Sequence, residues 1–396
     1  MIFVAIVLAA FAAYLSAYVF HQLLMFAANA FIPDSPECEP TRQRRFNVLV
    51  PAHDEELYLP RLLVSLASQE YPKTRYRVTV VADNCTDDTV AASRTFNIDV
   101  LERTDTTRRG KGYAIRWALE RIDLARFDAV VIVDGDSTVD PGFLKHLNLQ
   151  MERGDSVIQC SNGVANPEQS WFTRLMDVSR TIANDIVNPG KRKLGLSCHL
   201  MGNGMCFDVG LISRQGWHAF SVGEDWEYYA RLILGGTYVG YSKCARVHHQ
   251  ESVNLRQASS QRIRWSSGRF QVLRLYGPRL FVQAVRTRSL KCLDASLPLL
   301  FPNPSLGINL TFAGLTLAAM YWFVTAHSAP IALYALLALL QLFMFIVGIC
   351  HTEHKAANAT SLALAPVFLV WKLGIDVLSV CGIGAKEWKR TERRLN

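Results

Sequence analysis

The feature that most constrains this chain is an apolar stretch that ends in two carboxylates. Four β-branched residues, Val130 to Val133, predict a buried strand of a parallel sheet. Asp134 and Asp136 follow at once, and Gly135 between them allows a tight turn that brings them together. Ligands bind at the carboxyl ends of strands in open α/β sheets, and carboxylate oxygens suit Mg²⁺ or Mn²⁺. Taken alone, the pattern leaves a plain strand-to-turn junction equally open.

Three more strands precede this one, and helical patterns lie between them. They are predicted at residues 46–50, 78–81 and 98–101. Alternating strands and helices with short connections predict an α/β fold built on a doubly wound, mostly parallel sheet. The first two of these strands lead into Asp54 and Asp83. Acids therefore follow three strand ends at one edge of the sheet, which indicates a functional site.

The amino-terminal segment predicts a transmembrane helix. Residues 1–32 are apolar over a length that can span a bilayer. Cations follow the segment, at Arg42, Arg44 and Arg45, so the positive-inside rule predicts an extracytosolic amino terminus. A cleaved signal peptide is the alternative, although it needs positive charge before the apolar core.

The carboxyl-terminal part predicts more membrane segments. Residues 304–351 contain no Asp, Glu, Lys or Arg and break near Pro330, which predicts two transmembrane helices. Segment 361–384 is also apolar, but Lys372 and Asp376 interrupt it. We therefore predict an interfacial or re-entrant helix there, which leaves the basic tail, 385–396, in the cytosol.

The charge and the cysteine content indicate which binding partners and which cell compartment to expect. The net charge is +8, and eight cations with no acid lie between Arg262 and Lys291. We interpret residues 276–303 as a basic interfacial segment on anionic lipid headgroups, with a solvated face as the alternative. We find no nucleic-acid motif. Nine dispersed cysteines without Cys-x-x-Cys spacing favour reduced thiols and a cytosolic catalytic part. Residues 189–197 are predicted to form a basic loop.

Five short motifs follow one another along the chain. They are Pro51-Ala52-His53-Asp54-Glu55-Glu56, Ala82-Asp83-Asn84, Asp134-Gly135-Asp136, Gly223-Glu224-Asp225 and Gln261-Arg262-Ile263-Arg264-Trp265. In order and spacing, the chain resembles membrane-bound family 2 glycosyltransferases, which include cellulose, hyaluronan and chitin-oligosaccharide synthases and ceramide glucosyltransferases. The resemblance implies a cytosolic GT-A domain over residues 44–275. It also implies inverting transfer from a nucleotide sugar, usually a UDP-sugar.

The resemblance also implies residue roles on the donor side. Ala52, Glu55 and Asp83 are expected to hold the uridine. Lys111 lies where family members contact the nucleotide, and an exposed lysine at a helix start is the alternative. Asp134 and Asp136 are expected to approach the sugar nucleotide and the metal, with Asp136 as the more direct ligand.

On the acceptor side, the resemblance makes Asp225 the general base. Burial or a like charge has to raise the pKa of such a carboxylate, and Glu224 and Trp226 are placed to do so; an acidic helix start is the alternative. The remaining residues implied at the acceptor or diphosphate are Gln261, Arg262, Arg264, Trp265, Gly202, Asn203 and Glu224. An amphipathic helix with a buried tryptophan is the alternative for the Gln-x-x-Arg-Trp motif.

We therefore predict a metal-dependent, inverting hexosyl- or N-acetylhexosaminyltransferase with Mg²⁺ or Mn²⁺ as cofactor. It would move a sugar from a UDP-sugar to a lipid-linked or glycan acceptor at a bacterial inner membrane, for polysaccharide or glycolipid synthesis. A processive synthase that exports a β-linked homopolymer is the second hypothesis. Three spans leave little room for a polymer channel without homo-oligomers or export partners. A non-catalytic partner of a polysaccharide secretion complex is the third hypothesis.

Overall fold

Eight strands form one mixed sheet at the centre of the chain. A computed structural model describes residues 2–34 and 40–383, so the predicted basic tail, 385–396, lies outside the described residues. The strands are β1 (Phe46–Ala52), β2 (Tyr76–Asp83), β3 (Asp99–Arg103), β4 (Ala129–Ile132), β5 (Ser137–Val139), β6 (Val157–Val164), β7 (Met205–Asp208) and β8 (Gly240–His249). Their order in the sheet is β3-β2-β1-β4-β7-β6-β8-β5.

Helices cover the sheet and extend away from it. They are α1 (Ile2–Phe31), α2 (Leu59–Ala67), α3 (Thr89–Arg94), α4 (Lys111–Leu119), α5 (Phe143–Glu152), α6 (Trp171–Thr181), α7 (Asn188–Lys193), α8 (Val209–Gln215), α9 (Glu224–Leu234), α10 (Leu255–Thr287), α11 (Leu290–Leu300), α12 (Pro304–Thr325), α13 (Ala329–His351), α14 (Lys355–Ser361) and α15 (Ala365–Val380). Single helical turns lie at Lys73–Arg75, Leu124–Arg126 and Leu362–Leu364, and a π-helical turn, Ile182–Val187, continues α6.

The amino-terminal half of the sheet is parallel, as the sequence predicts. Strands β3, β2, β1 and β4 pair in parallel, so their carboxyl ends meet at one edge. Residues in β4 and just after it alternate between the two faces of the sheet. Val130 and Ile132 pack in the core on one face, and Val131 and Val133 pack in the core on the other. The other half is mixed, because β7 is antiparallel to both β4 and β6.

The predicted loop at 189–197 is wrong in its first part. Residues Asn188–Lys193 form α7, with Pro189 in its first turn, where proline is favoured. Gly190 lies against α1, and a Cβ there would collide with the Met25 carbonyl. The glycine therefore allows two helices to approach closely. The predicted boundary between residues 275 and 276 likewise falls inside α10, which continues to Thr287.

Four helices in the described residues are long and apolar enough to cross a membrane. They are Ile2–Phe31, Pro304–Thr325, Ala329–His351 and Lys355–Val380. These helices indicate membrane association. The fourth includes most of the segment predicted to be interfacial. Its length and composition would also allow it to span, so the interfacial placement stays a prediction.

The two charges that interrupt the last apolar segment face α10. Lys372 and Asp376 are both buried and form an ion pair. The Lys372 ammonium donates to the Ser266 hydroxyl oxygen (3.1 Å), and this hydroxyl donates to Asp376 Oδ1 (2.9 Å). The buried polar contact fixes α15 to α10, the helix that carries the Gln-x-x-Arg-Trp motif.

Candidate active site

The Asp-Gly-Asp turn packs against the residues that follow β1. A Cβ placed on Gly135 would lie 3.4 Å from Glu55 Cγ and 3.6 Å from Ala52 Cβ. The structure therefore brings Ala52 and Glu55 to the turn that carries Asp134 and Asp136.

Asp83 lies at the end of β2 and is held by groups around it. Its carboxylate is buried and forms an ion pair with Arg103, and the Asn84 amide donates to Oδ1 over 3.0 Å. Burial raises the pKa of Asp83, and Arg103 acts in the opposite direction. An Arg–Asp pair at this edge offers both donors and an acceptor to a ligand. None of the five sequence motifs contains Arg103.

Lys111 connects three parts of the site. Its ammonium lies 2.5 Å from Asp134 Oδ1 and 3.8 Å from Glu224 Oε1, and it donates to the Gly202 carbonyl over 2.6 Å. Burial disfavours its charge, but the carboxylates of Asp134 and Glu224 raise the pKa of Lys111 above its ordinary value. Since the side chain is only 18% exposed, the alternative of an exposed lysine does not describe it.

Asp225 and Glu224 begin α9, where Glu224 lies near Lys111 and Asp225 lies near Gly202. Asp225 Oδ1 accepts a hydrogen bond from the Trp226 backbone N–H (2.8 Å). Its other oxygen, Oδ2, would lie 3.3 Å from a Cβ on Gly202, where φ is +81°. Burial raises the pKa of both carboxyl groups, and Lys111 lowers both. A carboxylate with a raised pKa is the kind of group that general-base catalysis needs.

The structure places Asn203 beneath the Asp-Gly-Asp turn. Its buried side-chain oxygen accepts from the Asp134 backbone N–H (3.1 Å), and its amide donates to Ser137 Oγ (2.9 Å). Asn203 therefore fixes the carboxylate turn, whereas the resemblance implied an acceptor contact.

The Gln-x-x-Arg-Trp motif lies in the first part of α10. Arg262 pairs with buried Glu251 (Nη2 to Oε2, 2.6 Å), and its guanidinium carbon lies 4.5 Å from the centroid of the Trp265 ring. Gln261 is buried, and its Oε1 has no hydrogen-bond partner among residues 2–34 and 40–383. Arg264 is partly buried on the same helix.

Sequence reasoning missed several residues around this motif. They are Arg180, His199 and Glu251, none of which belongs to one of the five motifs. His199 stacks on Trp226, with ring centroids 4.9 Å apart. Burial and the nearby Lys191 lower the pKa of His199 to about 3, so the ring is neutral at physiological pH. Only the folded chain brings Arg180 to Trp265, His199 to Trp226 and Glu251 to Arg262.

The donor set at the Asp-Gly-Asp turn fits a hard divalent cation. The Lys111 ammonium lies 2.5 Å from Asp134 Oδ1, so this carboxylate already accommodates a positive charge beside it. Two carboxylates leave the remaining ligand positions to phosphate and water, the arrangement in which Mg²⁺ is usually bound.

A second cluster has metal-like spacing but different chemistry. Asp54, Cys85 and Asp87 have potential ligand atoms within 4.8 Å of one another. However, Asp54 Oδ1 accepts from the Thr86 backbone N–H (2.6 Å), and Asp87 Oδ1 accepts from the Thr89 backbone N–H (3.0 Å). Burial also raises the pKa of Cys85 to about 11, which disfavours the thiolate in the metal-free protein. We therefore interpret the cluster as a cap for the chain around α3.

The parallel half-sheet, its carboxylate turn and the flanking apolar helices define a GT-A type of α/β protein. Residues 43–268 match the family model described as glycosyltransferase like family 2. The chain therefore belongs to glycosyltransferase family 2, as its motifs predict.

Individual relatives are more distant. The chain is similar to the probable glycosyltransferase YdaM of Bacillus subtilis, with 23% identity over 234 residues that cover 57% of this chain and 55% of the relative. It is also similar to a beta-monoglucosyldiacylglycerol synthase of a Nostoc species, with 26% identity over 233 residues that cover 57% and 49%. The chain spans about half the length of these curated relatives. The solved mannosyltransferase PcManGT from Pyrobaculum calidifontis, in complex with GDP-Man and Mn²⁺, has a TM-score of 0.59 and 21% identity, covering 96% of this chain and all of that one. This likeness confirms the fold.

Proposed function

We propose that the protein is a membrane-associated, inverting glycosyltransferase that moves a sugar from a UDP-sugar to a lipid-linked or glycan acceptor. One observation carries the proposal. Lys111 joins Asp134, on the donor side, to Glu224 beside the partly buried Asp225 carboxylate. A base with a raised pKa thus lies next to the lysine that contacts the carboxylate turn.

In this proposal Asp225 takes the proton of the acceptor hydroxyl. The acceptor oxygen then forms a bond to the anomeric carbon from the face opposite the leaving group, while the bond from that carbon to the UDP oxygen breaks. Negative charge develops on the diphosphate, and the Lys111 ammonium is placed to stabilise it. A divalent ion held by Asp134 and Asp136 would neutralise the same diphosphate when bound.

The membrane helices and the Nostoc relative, a glucosyldiacylglycerol synthase, support a lipid-linked acceptor. The test is UDP release by the full chain in lipid nanodiscs, across UDP-glucose, UDP-galactose and UDP-N-acetylglucosamine, with and without a lipid extract. GDP-mannose belongs in the same screen because PcManGT is solved with it. Release that requires one donor supports the proposal, and product length separates single addition from polymerisation. No release with any donor would favour the non-catalytic alternative.

The pH dependence of UDP release should reveal the ionisation of the general base. Because Asp225 must be ionised to accept a proton and its pKa is raised, UDP release should fall on acidification at a pH above the ordinary aspartate range of about 3.9. Lys111→Met removes a charge that lowers this pKa, so the acidic limb should move to higher pH, with a plateau rate lower by about tenfold. The exposed Lys145→Met, on α5, is the matched control. An unshifted limb in Lys111→Met would contradict the assignment of Asp225 as the titrating group.

Metal dependence should follow the Asp-Gly-Asp turn. Asp136→Asn is expected to lower Mg²⁺- or Mn²⁺-stimulated UDP release by about 100-fold, because the ion contributes several kcal/mol of charge stabilisation. Asp54→Asn, at the neighbouring strand end, should leave the metal titration unchanged. The reverse pattern would place the metal at the cluster of Asp54, Cys85 and Asp87.

We further propose that the amino terminus is extracytosolic and the sheet domain cytosolic, at a bacterial inner membrane. Cys244 is exposed on β8, so a variant with this single cysteine should react with a membrane-impermeant maleimide in inverted vesicles and not in intact spheroplasts. A variant that keeps only the buried Cys160 should label in neither preparation. Labelling of Cys244 in spheroplasts would reverse the orientation.

A further inference from the structure

Arg180 is a cation beside the site that no carboxylate neutralises directly. It lies near the end of α6, with its guanidinium carbon 5.9 Å from the Trp265 ring centroid and Nη1 4.0 Å from Met201 Sδ. Within residues 2–34 and 40–383, no carboxylate oxygen lies within 4.0 Å of its nitrogens. Arg262, across the same ring, differs because Glu251 pairs with it at 2.6 Å.

The surroundings of Arg180 explain why its charge calls for a partner. Burial and the nearby Arg262 lower the pKa of Arg180 to about 10, while Glu251 and Asp225 act in the opposite direction. The group is therefore still cationic at neutral pH. A cation partly removed from water without a hydrogen-bonded anion is unfavourable, and the field of Asp225 reaches it. An anion bound beside Arg180 would supply the missing partner.

The position of Arg180 relative to the membrane helices indicates the source of that anion. Val178 and Ile182, on either side of it, contact the end of α13, where a Cβ on Gly348 would collide with the Ile182 side chain. Helix α13 is one of the four helices able to cross a membrane, and Gly348 lies in its last turn. Arg180 therefore lies close to the level at which the chain leaves the bilayer, where lipid phosphates lie.

We propose that Arg180 binds the phosphate of a phospholipid-like acceptor whose hydroxyl is presented to Asp225. This inference rests on the proposed function and narrows its acceptor to an anionic lipid. The donor diphosphate offers the same chemistry, so the experiment has to separate the two phosphates.

The experiment uses the full chain in neutral detergent and three variants, Arg180→Gln, Arg180→Lys and Arg77→Gln. Arg77 is a partly exposed arginine that pairs with Asp99 at the edge of the sheet, and it controls for the loss of one positive charge. Each protein is titrated with dioctanoyl phosphatidylglycerol, with uncharged dioctanoylglycerol, and with UDP plus Mg²⁺. Thermal melting shows that each variant is folded.

The wild type should bind the phosphatidylglycerol more tightly than the uncharged lipid. Arg180→Gln should weaken phosphatidylglycerol binding by about 10- to 100-fold, the effect of losing a hydrogen bond to a charged group. Arg180→Lys should restore part of it, and Arg77→Gln should match the wild type. Affinity for UDP and for dioctanoylglycerol should not change.

Any of three results would overturn the inference. Unchanged phosphatidylglycerol binding in Arg180→Gln, or equal binding of the two lipids by the wild type, would show that no lipid phosphate binds there. A loss of UDP affinity would assign Arg180 to the donor diphosphate. None of these results touches the proposed function, which is tested by UDP release in separate samples. Absence of release there would contradict that function while leaving the lipid titrations interpretable.

Discussion

Asp225→Asn is expected to lower UDP release by about 1000-fold or more, within the range that general-base catalysis contributes. Asparagine has the same shape, and its side-chain oxygen can still accept from the Trp226 backbone N–H, as Asp225 Oδ1 does over 2.8 Å. The pocket should therefore keep its form while losing the group that accepts a proton. Affinity for UDP should change by no more than about twofold, because the substitution removes an interaction of the transition state.

The matched control lies on the same helix. Glu227 accepts from the backbone N–H groups of Phe220 and Ser221 (3.1 and 3.0 Å) and pairs with Arg231, so it fixes the start of α9. Glu227→Gln should release UDP at close to the wild-type rate. Glu224→Gln decides between the two acids of the motif. If it abolishes release while Asp225→Asn does not, Glu224 is the base.

The parallel half of the fold could be predicted because its signals are local. A β-branched run such as Val130 to Val133 and a short connection determine each strand without knowledge of the rest of the chain. Strands β5 to β8 exchange partners across long distances in sequence, as when Ser137 pairs with His249. Nothing local specifies such a register.

The candidate site likewise contains residues that could be predicted from the sequence and residues that could not. Asp83, Asp134, Asp136 and Asp225 follow strand ends or begin a helix, so their motifs could be recognised. Their partners could not, because an ion pair depends on the fold.

The contacts of two other site residues also depend on the fold and could not be predicted. Lys111 was expected to contact the nucleotide, with an exposed lysine as the alternative, but nothing indicated that Gly202, 91 residues away, accepts its hydrogen bond. Asn203 looked like an acceptor contact, yet its side chain bonds the Asp134 backbone. Motif position indicated that these residues belong near the site, and only the packing of the loop after α7 against β4 determines what each of them contacts.

Glu251→Gln is the second substitution for which we expect a large effect, here on stability. Glu251 is 2% exposed and accepts from Arg262 (2.6 Å), while His249 lies 3.4 Å away. Burial disfavours ionisation, but Arg262 and His249 hold the pKa of Glu251 well below its usual range. Removing this charge leaves Arg262 buried without its anion, beside the cationic Arg180. We expect a loss of about 3–5 kcal/mol in the free energy of unfolding.

A double substitution separates this loss from a general defect in packing. Arg262→Met combined with Glu251→Gln removes both charges, so no buried charge is left without its partner. The double variant should therefore melt at a higher temperature than Glu251→Gln alone, although it should stay inactive if Arg262 serves the diphosphate. Glu120→Gln, which breaks an exposed pair with Arg116, should scarcely change the melting temperature because such pairs contribute about 0–1 kcal/mol.

A double variant no more stable than the single one would show that Glu251 stabilises the fold through His249 and the backbone around Ser252. In that case the Gln-x-x-Arg-Trp helix would not depend on this ion pair for its position, and the orientation of Trp265 would have to come from its contacts with α6.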